Sequence, residues 1–91
     1  MENDSFIQHL DYIYGLVEEE YQKCRAGNGK YAEKHLECIL KELRIMRFKN
    51  DGQFSPYYPR GITDTWDYDD ELGNELLKLA REYLRLKRTG Q

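Results

Sequence analysis

The sequence predicts an all-α protein, a small antiparallel bundle of three main helices with a long ordered aromatic and proline-bearing loop between the second and third. Three observations predict it. Apolar residues recur at steps of three and four along three separate segments, the period of one helix face. Gly27-Asn28-Gly29 and Asn50-Asp51-Gly52 break that pattern with residues suited to helix ends. Charge on the last segment runs from acidic to basic, the order the helix macrodipole favours.

The first helix is expected over about residues 5–25. Ser5 and Gln8 have the spacing of a capping box, which places the start near Ser5. Phe6, Leu10, Ile13, Val17, Tyr21 and Cys24 then form one apolar stripe, flanked by Ile7 and Tyr14. The second helix is expected over about 29–48, with a stripe of Ala32, Leu36, Ile39, Leu43 and Met46 widened by Leu40. Lys30, Lys34, Glu37, Lys41 and Arg44 form its solvated side. Asn50-Asp51-Gly52 stops it, and would also turn a very short hairpin through Phe48 and Phe54. The third helix is expected over about 67–88 on Leu72, Leu76, Leu79, Ala80, Tyr83 and Leu86. Asp67, Asp69, Asp70 and Glu71 stand at its start, and Arg81, Arg85, Lys87 and Arg88 at its end.

At 91 residues the chain makes one domain, 1–91, whose stability depends on burying what apolar surface it has. Hydrophobic residues are 40% and charged residues 34%, the balance of a globular rather than a disordered chain. The net charge of −3 argues against nucleic acid, whose binding rests on clustered Lys and Arg. The longest apolar run is three residues, too short for a membrane span, and Met1-Glu2-Asn3-Asp4 lacks the basic stretch of a signal peptide. A cytoplasmic protein is expected. In an antiparallel hairpin Cys24 and Cys38 would differ by about 10 Å in height, whereas a disulfide needs Cα atoms within about 7 Å. Both are read as free thiols on apolar faces.

No constellation for catalysis emerges. Gly27-Asn28-Gly29-Lys30 lacks the first glycine and the hydroxyl residue of a phosphate loop, and no strand precedes it. Cys24, His35 and Cys38 lack a fourth ligand and the short paired spacing that zinc requires, so His35 is read as structural, stacked near Tyr31. Ser5 is read as a helix cap and Ser55 precedes a proline; neither sits in a nucleophile elbow. The carboxylates at 67–71 are accounted for by the helix start. The protein is read as non-enzymatic, with no cofactor and no metal. Lys78, Arg81, Arg85 and Arg88 make a basic face interrupted by Glu82, which suits a solvated helix end better than a phosphate backbone.

The connector Gln53–Trp66 is the exception to this plain scaffold. It gathers Phe54, Tyr57, Tyr58 and Trp66 with two prolines, longer than a compact domain usually leaves without regular structure or a purpose. Phe54, Ile62 and Trp66 are read as a lid on the core, and Tyr57 and Tyr58 as surface anchors, since tyrosine contributes much contact area at little entropic cost. Asp64, Asp67, Asp69 and Asp70 surround them and would steer a basic partner.

Asp51-Gly52 followed after four residues by Tyr57-Tyr58-Pro59 resembles the segment around the tyrosine pair of the immunity proteins of colicin and pyocin nucleases. Asp69-Asp70 and Gly73 loosely echo a second motif near the start of that family's last helix. Phe54 stands where the family has an aspartate, and Pro56 where it places a short helix. The resemblance implies an acidic helical bundle that neutralises a basic nuclease, with Tyr57 and Tyr58 as anchors. Three functions follow in order: an immunity-type or inhibitory protein-binding module; a structural bundle that self-associates as a homodimer, with Tyr12 and Leu16 as extra surface; and a regulatory nucleic-acid-associated protein.

Overall fold

The protein is described here by a computed structural model, which covers the backbone of residues 2–89 and the side chains of residues 4–86. It holds four helices in that span: α1 (Glu2–Arg25), α2 (Glu33–Lys49), α3 (Tyr58–Thr65) and α4 (Glu71–Thr89). The chain is all-helical, and no strand occurs among the described residues. The short hairpin through Phe48 and Phe54 is therefore absent there: Phe48 lies inside α2.

α1 packs against both α2 and α4, and α3 lies against α2 and α4. Polar pairs record the antiparallel register of α1 and α2. Asp11 meets Arg47, Tyr14 meets Arg44 and Tyr21 meets Glu37, so numbers rise on one helix as they fall on the other. The apolar stripes become the core: Phe6, Leu10, Ile13 and Val17 from α1; Leu36, Ile39, Leu40, Leu43 and Met46 from α2; Leu76, Leu79, Ala80, Tyr83 and Leu86 from α4. Tyr21, Cys24 and Leu72, expected on the same faces, are only half-buried at its margin.

Helix ends correct several expected boundaries. α1 begins at Glu2, so Ser5 lies inside its first turns and caps nothing. At the other end Gly27 adopts φ +88°, and the Gly27 and Asn28 N–H groups donate to the carbonyls of Cys24 (3.0 Å) and Lys23 (2.8 Å). This paired bonding around a left-handed glycine is a Schellman ending. α2 starts at Glu33 rather than near Gly29, and Ala32 is its exposed N-cap. Tyr31 is held off the helix by tertiary contacts: its ring stacks on Trp66 at 4.2 Å, and its carbonyl accepts from the Cys24 thiol. α4 starts at Glu71 rather than Asp67 because Asp70 is its cap, its Oδ1 accepting the Gly73 N–H at 2.8 Å.

The largest difference is α3. The connector is not a loop throughout; Tyr58–Thr65 is helical despite Pro59 and Gly61. Pro59 falls in the first turn, where a missing N–H costs nothing. No side chain within α3 caps it. The cap comes from α2: the Glu42 carboxylate accepts the N–H groups of Tyr57 (2.9 Å) and Tyr58 (2.7 Å). Glu42 is only 6% exposed, the one buried charged residue of the described chain. Its bonds to two backbone donors at a helix start make that burial tolerable.

Candidate functional site: an acidic groove

The tyrosine pair divides. Tyr57 is 79% exposed, but Tyr58 is 2% exposed and cannot be a surface anchor. One residue of helix turns the side chain by about 100°, so adjacent residues at a helix start face different environments. The Tyr58 ring enters the core and its hydroxyl donates to the Leu76 carbonyl at 2.8 Å, with burial pushing its pKa upward. Phe54, Tyr58, Ile62 and Trp66, spaced by four, form the inward edge of the connector, with Phe54 and Trp66 half-buried against the core. The Phe54 N–H donates to the Tyr83 hydroxyl, which in turn donates to Asp51, tying the connector to α4.

The aspartates divide too. Asp64 is exposed on α3, whereas Asp67, Asp69 and Asp70 come together in the turn between α3 and α4. That turn borders a groove whose other wall is α1. Its lining carries the carboxylates of Glu19 and Glu20 from α1 and of Asp67, Asp69, Asp70, Glu71 and Glu75 from the turn and α4. Tyr12, Leu16, Tyr31 and Leu72 supply its apolar surface, and Lys30 is its one cation. Lys30 is itself engaged, its ammonium 5.2 Å from the centroid of the Tyr31 ring.

The groove is anchored from below. The Tyr31 hydroxyl donates to Asp70 Oδ2 at 2.9 Å; burial pushes its pKa up and the Asp70 carboxylate adds to the shift, so it stays a donor. Trp66 donates its indole N–H to His35 Nδ1 at 3.0 Å while its face covers Tyr31. His35 thus meets the edge of Trp66 rather than stacking on Tyr31. Accepting at Nδ1 leaves its ring proton on Nε2, which is buried without a partner and faces Gly61. Burial accordingly pulls the pKa of His35 down.

Three residues outside the groove lining take roles that sequence reasoning missed. Tyr68, 93% exposed, projects from the turn between Asp67 and Asp69; the signal was an aromatic set among aspartates. Glu42 sits one position from the solvated residue Lys41, and nothing local marks it as buried. His9 bridges α1 to α4, its Nδ1 3.0 Å from Glu82 Oε1 and its Nε2 3.2 Å from Glu75 Oε1. Desolvation pulls this imidazole down, but the two carboxylates together outweigh it and the net shift is upward.

Among the described residues no group of three or more His, Cys, Asp or Glu side chains is placed to hold a metal ion. Cys24 and Cys38 are free thiols, Cys24 half-buried and Cys38 exposed rather than on an apolar face. No helix among the described residues is long and apolar enough to cross a membrane. Of the basic C-terminal face, Lys78, Arg81 and Arg85 are exposed, while the side chain of Arg88 lies outside the described residues. Comparison with protein-family models, with curated proteins and with solved structures found no match to the chain.

Proposed function

We propose that the protein is a non-enzymatic binding module that captures a basic protein in the groove between α1 and the α3–α4 turn, in the manner of an immunity or inhibitor protein. The observation that carries this reading is the composition of the groove: seven carboxylates around an apolar surface of Tyr12, Leu16, Tyr31 and Leu72. Of these, Glu20 and Glu75 are ion-paired and Asp70 is hydrogen-bonded, leaving Glu19, Asp67, Asp69 and Glu71 against one engaged lysine. Like charges gathered over apolar walls concentrate their field, speed the approach of an opposite charge and reject acidic proteins. Tyr12, 64% exposed in the groove, would anchor contact there, and Tyr68, 93% exposed on the turn beside it, would add to that contact with Asp67 and Asp69 as its charged neighbours. Tyr57, the residue that precedes α3, and Asp64 within it stand apart from the groove; α3 is about 12 Å long, and both would contact a partner that extends along that helix. A nuclease-like toxin is the partner class that the resemblance through Asp51-Gly52 and Tyr57-Tyr58-Pro59 suggests, with Tyr57 alone of the pair left to act.

The test is calorimetric titration of the purified product of the adjacent gene into the wild type and into the double variant Asp67→Lys/Asp69→Lys. Wild-type binding that weakens by about 30-fold or more, the equivalent of about 2 kcal/mol, supports the reading. Absence of binding, or equal binding by both proteins, overturns it.

A further inference from the structure

We propose that the face formed by Ile45, Phe48 and Phe54 docks into the acidic groove of a second copy of this chain. Phe48 is 89% exposed near the end of α2. With half-buried Ile45 and Phe54 it makes an apolar patch edged by Lys41, Arg44 and Lys49. Lys41 and Lys49 form no ion pair among the described residues. An aromatic ring left in water beside two further apolar side chains, rimmed by charge of one sign, is the make-up of an interaction surface.

The same chain carries the complement. The groove pairs exposed acids at Glu19, Asp67, Asp69 and Glu71 with apolar side chains at Tyr12, 64% exposed, and Leu16. Each surface has an apolar centre and a charged rim, and the rims are opposite in sign. No residue lines both, because the patch belongs to α2 and the turn after it, and the groove to α1, the α1–α2 connection, the α3–α4 turn and the start of α4. Patch and groove of different copies can therefore join, as a closed pair making the contact twice or as a ring. The inference shares the groove with the function proposed above but is read out on the protein alone, so either can fail without the other. Self-association would withhold the groove until a basic partner competes for it.

Sedimentation velocity of the full chain over a range of concentrations at low ionic strength is the test. The expected result is a species heavier than the monomer whose share grows with concentration and shrinks at about 1 M salt, where the screening length is about 3 Å. Phe48→Asp should restore the monomer with an unchanged helical circular dichroism spectrum. A charge swap makes the test specific: Lys41→Glu/Lys49→Glu and Asp67→Lys/Asp69→Lys should each be monomeric alone and should associate when mixed. A wild type that stays monomeric, association that survives Phe48→Asp, or a mixture that stays monomeric overturns the proposal. A monomer that sediments with phosphatidylserine vesicles through Phe48 overturns it in favour of a membrane surface.

Discussion

The carboxylate of Glu42 and the backbone N–H of Tyr58, 2.7 Å apart, join two helices that no local pattern connects. Glu42 lies in the middle of α2 and Tyr58 opens α3. The bond supplies the cap that α3 lacks in its own sequence and places the Tyr58 ring in the core. An eight-residue helix with a proline and a glycine has too little propensity to form alone. It persists because one buried side chain satisfies its first donors.

Removing that cap should unfold the connector before the bundle. Glu42→Ala leaves two N–H groups without their charged acceptor and opens a small void, a loss of roughly 1–3 kcal/mol. Glu42→Gln keeps one acceptor and should lose less. Urea unfolding checks the order. Full stability in Glu42→Ala would show that α3 needs no cap.

The tyrosine neighbours should respond in opposite ways. Tyr58→Ala removes a fully buried aromatic and should cost roughly 3–5 kcal/mol, while Tyr57→Ala, at an exposed position, should stay within about 0.5 kcal/mol of the wild type. Thermal melts separate the two readily, since each kcal/mol moves the midpoint by about 4–8 °C in a domain of this size. Comparable losses at both positions would contradict the division of the pair.

The two histidines should titrate on opposite sides of their common starting value of 6.5. His9 holds its proton more tightly when folded, so its contribution to stability is full below about pH 6.5 and is lost as pH rises through its raised folded value. His35 holds its proton less tightly when folded. Its contribution is full above about pH 6.5 and is lost as pH falls towards its lowered value. NMR titration of the ring Cε1–H signals should give the higher midpoint to His9. His9→Gln should abolish the stability decline that sets in as pH rises past about 6.5 and leave the decline that sets in as pH falls below it; midpoints in the reverse order would contradict the assigned geometry.

Gly61 should be tolerant of alanine only when His35 is gone. A Cβ at Gly61 would lie 2.7 Å from His35 Nε2, closer than contact permits. Gly61→Ala should therefore destabilise the wild type by roughly 1–3 kcal/mol. In a His35→Ala background the clash disappears, and alanine's higher helix propensity should make the same change stabilising by up to about 1 kcal/mol. A double-mutant cycle reads the coupling directly. Additive effects would mean that the two groups do not press on one another.

The long helices were legible in the sequence. Stripes such as Leu36, Ile39, Leu43 and Met46 report a helix face because each residue contributes independently to a boundary between core and solvent. The stops at Gly27 and Asn50 were legible for a similar reason: positive φ at these positions, +88° and +48°, favours Gly and Asn on local steric grounds. The acidic character of the future site could also be read, as Asp67, Asp69 and Asp70 stand almost together in the chain.

What folding alone decided is the role of residues whose partners are remote. Tyr31 and Asp70 are 39 positions apart, Trp66 and His35 31, and Glu42 and Tyr58 16. Those bonds fix where α2 begins, which tyrosine of the pair is buried and how the turn before α4 meets α1 to make the groove. Neighbouring residues carry no trace of such pairings, because burial of a polar group is tolerated or refused according to what the rest of the chain brings to it. Composition and periodicity are enough to make this chain helical, acidic and rich in tyrosine around its connector; long-range packing turned more than half of that connector into a helix and assigned its aromatics to core, margin or solvent.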